Sequence, residues 1–172
     1  MSVFEYVNSH LPYLQPFFEN HIEITCNDKT SKNFYTWFNT IEQQKFRSEL
    51  RYSYEEFEEL FRNPNFLILF VLENDIPQAV VLTYDCAEMS DCYYLDVIAV
   101  IPAGKVIGKY LINWLCDILE ALNYTTLRLD TEEVNEHGQE LRKFYETMGF
   151  EVEKITKDGN ICLKKTISRH ND

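Results

Sequence analysis

The fold is decided by residues 95–109, LDVIAVIPAGKVIGK, which combine the end of an apolar strand, a loop with Gly104 and the first turn of a helix. Such a loop aims unpaired backbone N–H groups and the positive end of the helix dipole at one spot. That spot suits an anionic phosphate, and Lys105 and Lys109 add positive charge beside it. The same pattern also occurs as a simple tight connection between a strand and a helix.

The segments before this loop predict an antiparallel meander. An apolar run at 66–72 and a second run at 79–84 flank a turn at 73–75, which is rich in turn-forming residues. A third strand, 92–100, leads directly into the loop. These three segments therefore predict consecutive neighbouring strands.

The segments after the loop predict a crossover followed by a hairpin. Apolar residues from Ile107 to Leu122 recur at the spacing of an amphipathic helix, and a short strand follows at 126–130. A helix over 140–148 is stopped by Gly149, and strands at 150–155 and 160–167 flank the turn Asp158-Gly159. A strand-helix-strand crossover makes the strands at 92–100 and 126–130 parallel neighbours. The predicted fold class is α/β (α+β), with a mixed, mostly antiparallel sheet flanked by helices.

The N-terminal region is predicted to be helical from Ser31 onwards. Pro12 and Pro16 are expected to break any long helix in the first thirty residues. Apolar residues at helical spacing predict a helix over 31–50, and Ser53 with Glu56 forms the signature of a capping box at the start of the next helix. Since no linker or repeat interrupts the 172 residues, we expect a single domain over 1–172.

The formal net charge of −12 narrows the classes of partner. An acidic chain repels phosphate backbones and anionic lipid head groups, so we expect neither nucleic acid nor a membrane as a partner. It attracts cationic small molecules and basic protein tails. Alternatively, the acidic residues serve only solubility.

The cysteines and histidines predict neither a metal site nor a disulfide framework. The five cysteines are an odd number without two-residue spacing, and the four histidines are scattered. Free, partly buried thiols in a reducing cytoplasm are therefore expected. The N-terminus lacks the pattern of a signal peptide, which agrees with a cytoplasmic location.

Two motifs resemble those of the Gcn5-related N-acetyltransferase (GNAT) superfamily. The strand end Leu95–Pro102 is similar to the family's Ala-Val-x-Pro strand, and Gly104, Ile107 and Gly108 follow its glycine-rich loop in part. Ala103 and Val106 depart from the signature, which has Arg or Gln and Gly at these positions. The second motif, 144–150, is similar to the family's Leu/Phe-Tyr-x-x-x-Gly-Phe marker.

The resemblance implies a GNAT-like acyl-CoA N-acyltransferase fold with splayed central parallel strands. It implies an N-acetyltransferase of the EC 2.3.1 type that moves an acetyl group from acetyl-CoA directly to a primary amine of a small molecule or protein. Tyr145 matches the family's general acid, and Asp96 is a candidate base. The cosubstrate would be bound by Ile98, Ala99, Val100, Gly104, Lys105, Val106, Ile107, Gly108 and Lys109, without a metal. Residues 1–65 would form the acceptor side and 66–172 the sheet and acetyl-CoA-binding core; the oligomeric state, including a homodimer, is left open.

Other hypotheses stay open on the sequence alone. Ala103 and Val106 motivate a catalytically weakened acyl-CoA-binding or protein-interaction module with the same fold. An unrelated mixed α/β interaction protein is a third hypothesis. Asp96 also fits a polar residue near a strand end, and Glu132 and Glu133 fit solvated loop charges as well as groups lining the site.

Overall fold

The computed structural model describes residues 2–27, 33–102 and 105–167. The helices and strands there follow the order α1 (Val3–Leu14), β1 (Ile22–Cys26), α2 (Phe34–Lys45), α3 (Tyr54–Leu60), β2 (Leu67–Glu73), β3 (Ile76–Asp85), β4 (Cys92–Val100), α4 (Lys105–Ala121), β5 (Thr126–Thr131), α5 (Leu141–Glu146), β6 (Glu151–Ile155) and β7 (Ile161–Thr166). Within these residues no helix has the length and apolar character needed to cross a bilayer.

The strands form a seven-stranded sheet in the order β1-β2-β3-β4-β5-β7-β6. The pairs β1–β2, β2–β3, β5–β7 and β6–β7 are antiparallel. The pair β4–β5 is parallel, as the crossover through α4 requires. The predicted fold class, a mixed and mostly antiparallel sheet flanked by helices, is therefore confirmed.

The chain forms two compact units, and the first contains Met1–Tyr84 and Val97–Leu111. Its core joins one face of the strands to aromatic residues of α2 and α3. Phe38 and Phe57, from these two helices, stack with ring centroids 4.9 Å apart. Val97 and Ala99 of β4 belong to the same cluster, so the strand that carries the candidate site is anchored in this core.

Local chemistry explains the start of α3 and the turn between β2 and β3. The hydroxyl of Ser53 accepts the backbone N–H of Glu56, and the Glu56 carboxylate accepts the N–H of Ser53, which completes the predicted capping box. Asn74 and Asp75 both have positive φ, as a two-residue turn between twisted strands requires.

The expectation that Pro12 would break any long helix in the first thirty residues was wrong, because α1 runs through Pro12. Pro12 lies in the last turn, where it removes only its own N–H from the helix ladder. The N–H of Gln15 still donates to the carbonyl of Leu11, and Ser2 and Glu5 cap the other end. One missing hydrogen bond near a helix end costs less than a break in its middle.

The second unit contains Asp85–Asp96 and Ile112–Asp172. Leu127 and Leu163, on paired strands, are fully buried, and Ile112 and Leu119 of α4 are buried as well. The expectation that all cysteines are free was wrong, because Cys86 and Cys92 form a disulfide. They lie at the two ends of the β3–β4 loop, and strand pairing brings residues at such positions face to face. Cys26, Cys116 and Cys162 are free, as expected.

Candidate active site

The last residues of β4 present a strand edge within the first unit. The N–H of Ile101 donates to the carbonyl of Gln78 on β3, at 2.7 Å. Backbone groups of successive strand residues point to opposite edges, so those of Ile98 and Val100 face away from β3. Among the described residues of this unit, no strand lies along that edge. Ile98, Ala99 and Val100 therefore offer the kind of edge that an extended ligand can join.

Within the second unit, the parallel strands part after a short paired stretch. Cys92–Tyr94 pair with Thr126–Arg128, and the described residues add no further parallel pair. β5 stays paired with β7 as far as Thr131, so it keeps its place in the sheet. The opening thus begins at Leu95 and Asp96, which confirms the expected splay of the central strands.

The predicted phosphate-binding turn leads into the start of α4. Ala103 and Gly104 lie outside the described residues, and the helix begins at Lys105. The first three residues of a helix have backbone N–H groups without an intrahelical partner, so those of Lys105, Val106 and Ile107 can donate to a ligand. Lys109 is exposed, and Ile107 is buried and anchors this turn in the core.

Val106, which replaces a signature glycine, has a side chain that is 47% exposed. Val106 is therefore about half exposed at the surface and is not part of the core. The backbone N–H of Val106 belongs to the first turn of the helix whatever the side chain is. The substitution thus leaves the backbone donors of this turn in place.

Tyr145 lies on α5 in the second unit, and only 8% of it is exposed. Its ring meets Phe144 and Phe150 edge-on, with centroids 5.1 and 5.6 Å away. Gly149, at φ +88°, reverses the chain so that Phe150 can return to Tyr145. Burial raises the pKa of Tyr145 from the ordinary value of about 10 to about 12. The hydroxyl therefore keeps its proton at neutral pH.

Asp96 is half-buried on β4, where the opening begins. Alternation along the strand places it on the same side as Tyr94. The hydroxyl of Tyr94 donates to Asp130 Oδ2 at 2.8 Å, which joins β4 to β5 beside their last parallel pair. The sequence analysis missed this contact, because no local pattern relates two residues on separate strands.

The loop after β5 is held by its own residues. Asn135 Oδ1 accepts the backbone N–H groups of His137 and Gln139. Glu133 accepts from Arg142 Nη1 at 3.3 Å and is therefore engaged in an exposed ion pair. For Glu133 the structure favours the solvated loop charge over a role in lining the site.

The candidate residues are distributed over both units. Ile98, Ala99, Val100 and the start of α4 belong to the first, whereas Asp96 and Tyr145 belong to the second. Across the described parts of the chain, no group of three or more His, Cys, Asp or Glu residues could hold a metal ion.

Solved structures with this fold include several N-acetyltransferases. The ribosomal-protein-S18-alanine N-acetyltransferase from Escherichia coli is 23% identical, with a TM-score of 0.65; 86% of this chain and 95% of that chain are covered. The aminoglycoside 6'-N-acetyltransferase from Enterococcus faecium is 19% identical, with a TM-score of 0.69 and coverage of 87% and 99%. The PaiA N-acetyltransferase from Thermoplasma acidophilum, in complex with coenzyme A, is 19% identical, with a TM-score of 0.63 and coverage of 85% and 99%.

At these identities the structural likeness shows the fold alone. A search of curated protein sequences found no relative. The family model described as "Acetyltransferase (GNAT) family" matches residues 32–150, which is more than half of the chain and includes both motifs. The chain therefore belongs to the GNAT family of acetyltransferases.

Proposed function

We propose that this protein is an N-acetyltransferase that moves an acetyl group from acetyl-CoA directly to a primary amine of a small molecule or protein. The observation that carries the proposal is the parallel pair β4–β5, which ends at Tyr94 and Arg128 although both strands continue. In a chain of this family, such an opening is where a thioester can approach the backbone. The family match supports the reaction class.

The residues present fit an extended ligand that carries phosphates. The edge of Ile98 and Val100 can pair with the amide groups of a pantetheine arm, as a further strand would. The backbone N–H groups at the start of α4 and the exposed Lys109 suit a pyrophosphate. Gly104 and Lys105 belong to the same proposed site by sequence. Bound acetyl-CoA would supply the thioester whose acetyl group is transferred.

Tyr145 is the proposed acid. Its proton at Oη would stabilise negative charge on the leaving sulfur. A phenol with a pKa of about 12 gives its proton to a thiolate with a pKa of about 8.5 only at a cost of roughly 5 kcal/mol. Tyr145 would therefore have to regain a proton in the same step, from the nitrogen that becomes the amide.

Asp96 is the proposed base. A primary amine is mostly protonated at neutral pH and must lose a proton before it attacks the thioester carbonyl. Asp96 is half-buried at the place where β4 and β5 part, so a carboxylate oxygen there can accept that proton directly or through water. Because the Asp96 side chain is short, the carboxylate oxygen that accepts the proton lies within a few ångströms of the β4 backbone.

The acceptor is proposed to be a cationic amine. The names of two solved relatives specify a ribosomal protein alanine and aminoglycosides as acceptors. The net charge of −12 favours the approach of positively charged molecules. Aminoglycosides and basic protein termini share this charge.

The test is calorimetric titration with acetyl-CoA, followed by measurement of free coenzyme A thiol with a panel of cationic and neutral amines. We expect saturable binding and amine-dependent thiol release. Binding without release across the panel would favour the acyl-CoA-binding module over the enzyme. An absence of binding would contradict both functions.

A further inference from the structure

The loop between β3 and β4 is closed by two cysteines that face each other. Cys86 follows the last residue of β3, Cys92 begins β4, and their Cα atoms are 5.4 Å apart in the disulfide. The backbone N–H of Cys86 also donates to the carbonyl of Cys92 at 2.9 Å. The two residues are thus opposite each other in the hairpin, whether or not their sulfur atoms are bonded.

The closed loop holds the beginning of β5. The carbonyl of Asp91 accepts the N–H groups of Thr125 and Thr126, at 2.9 and 3.3 Å. At the other end of the paired stretch, Arg128 Nη1 donates to Met89 Sδ at 2.8 Å. The loop therefore contacts both ends of the segment Thr126–Arg128, which is the part of β5 that pairs with β4.

The guanidinium of Arg128 is positioned by its contacts with Met89 and Glu153. Its Nη2 donates to Glu153 at 2.7 Å, whereas its buried Nε has no hydrogen-bond partner among the described residues. Met89 thus supplies one of the two hydrogen-bond contacts of this side chain among the described residues. Movement of the loop would remove the Met89 contact from Arg128, next to the point where the parallel strands part, and leave the contact with Glu153.

The two sulfur atoms differ in access. Cys86 is half-buried and adjoins residues 87–91, all of which are exposed, whereas Cys92 is fully buried. An external thiol or disulfide can therefore reach Cys86 and not Cys92. Because the backbone pairing keeps the reduced cysteines opposite each other, the bond can form again without a search through other conformations.

We propose that Cys86 and Cys92 form a reversible thiol–disulfide exchange site whose oxidised form clamps the loop onto the start of β5. The reacting partner is a small disulfide of neutral or positive charge. This part of the proposal needs no enzymatic activity. The further effect on acetyl transfer rests on the proposed function.

The exchange proceeds in two balanced steps. The Cys86 thiolate attacks one sulfur of the small disulfide, which forms a mixed disulfide and releases one small thiol. The Cys92 thiolate then attacks the Cys86 sulfur, which forms the Cys86–Cys92 bond and releases the second small thiol. The two protein thiols are oxidised, the small disulfide is reduced to two thiols, and the two protein protons are taken up by the departing thiolates.

The charge of the small disulfide follows from the surroundings of the loop. Asp85, Glu88 and Asp91 carry negative charge within or beside it, and residues 85–92 contain no Lys or Arg. The guanidinium of Arg128, which contacts Met89, is paired with the carboxylate of Glu153. A negatively charged disulfide is repelled by these carboxylates, whereas a positively charged one is attracted. At low salt, reduced protein should react with cystamine about ten-fold faster than with oxidised glutathione, and high salt should narrow this ratio.

The first experiment follows the two thiols themselves. Reduced protein is incubated with cystamine or oxidised glutathione, quenched by alkylation and analysed by peptide mass spectrometry. We expect a Cys86–Cys92 bond that dithiothreitol reverses, and a mixed disulfide on Cys92 alone should not accumulate. Cys162→Ser, which removes another half-buried but free thiol, should behave as wild type. No Cys86–Cys92 bond with either reagent, or equal rates with both, would overturn the proposal.

The second experiment tests the clamp. Hydrogen exchange at the amides of 125–128 should become about ten-fold faster on reduction of wild type, and Cys86→Ser should show the fast rate under both conditions. Reduction should also lower kcat for acetyl transfer by about three-fold in wild type. In Cys86→Ser, kcat should be the same with and without the reductant. Unaltered exchange would refute the clamp. If hydrogen exchange at 125–128 changes on reduction but the protein has no transferase activity, the clamp is supported and only the proposed function is refuted.

Discussion

At the scale of single residues, Tyr145 combines a polar hydroxyl with an almost fully buried ring. If this hydroxyl stabilises the leaving sulfur, Tyr145→Phe should lower kcat by roughly ten-fold to a thousand-fold, because only the hydroxyl is lost. The Kd for acetyl-CoA should change little, since the binding elements proposed here are on β4 and α4. Steady-state kinetics and calorimetry on the same preparation measure both quantities.

Phe144→Leu is the matched control, because Phe144 neighbours Tyr145 on α5 and carries no polar group. It should reduce stability without the selective loss of kcat. An unchanged kcat in Tyr145→Phe would remove Tyr145 from the mechanism.

The raised pKa of Tyr145 also predicts a dependence of stability on alkaline pH. A folded-state pKa of about 12 against an unfolded value of about 10 means that the folded chain favours the neutral phenol. This contribution, up to about 3 kcal/mol, is present below pH 10 and is lost as the pH rises through 12. Urea unfolding at pH 8, 10 and 11 should therefore show a falling free energy of unfolding, with a smaller fall in Tyr145→Phe. An equal fall in both proteins would contradict the assignment.

The proposed role of Asp96 as a base predicts that the effect of Asp96→Asn on kcat/KM depends on pH. A base is needed only while the acceptor amine is protonated, so Asp96→Asn should lower kcat/KM most at neutral pH and less as the pH approaches the pKa of the amine. The measurement is kcat/KM from pH 6.5 to 9.5 for wild type and variant. A loss of constant size over this range would indicate a structural role for Asp96.

At the scale of elements, the capping box of α3 is a local source of stability. Ser53→Ala removes the hydroxyl that accepts the N–H of Glu56. The variant should lose about 1 kcal/mol of unfolding free energy, because one helix N–H becomes unsatisfied. Urea denaturation measures the loss, and Ser90→Ala, in the exposed β3–β4 loop, should change stability by less than about 0.5 kcal/mol. Equal stability of the two variants would argue against the cap.

Elements defined by local patterns were predictable from the sequence. Strand β4 was predicted with its observed bounds, and the cap at Ser53 and the turn at Asn74-Asp75 follow from side-chain chemistry within a few residues. Helix α1 was missed because Pro12 and Pro16 were expected to break any long helix in this region. Strand β1 was also missed; it is short and depends on pairing with β2.

The motif residues of the candidate site could be located from the sequence, but their surroundings in the fold could not. Val106 departs from the family motif, but its exposed side chain leaves the backbone donors of the turn in place, which no sequence pattern reveals. The raised pKa of Tyr145 depends on burial by residues from several segments. The contact between Tyr94 and Asp130 and the pairing of Cys86 with Cys92 arise only when separate strands come together.

At the scale of the whole molecule, the net charge of −12 predicts how the rate of the proposed acetyl transfer depends on the charge of the acceptor amine. For an acceptor with several positive charges, kcat/KM should fall about three-fold to ten-fold between 20 and 300 mM salt, because salt screens the attraction. An acceptor whose only charge is the reacting amine should respond much less. Initial rates at several salt concentrations test this, and an identical salt response for both acceptors would contradict it.

Neither compact unit is a continuous stretch of chain, and this affects synthesis. The first unit is completed by Val97–Leu111, which is synthesised only after Asp85–Asp96 of the second unit. At about 5–20 residues per second, the gap from Tyr84 to Leu111 lasts roughly one to five seconds, during which β3 waits for its next neighbour β4. A nascent chain released in that interval would present an unpaired strand edge to other chains. Pausing between residues 85 and 111 should therefore favour aggregation more than pausing after 121, when α4 is complete.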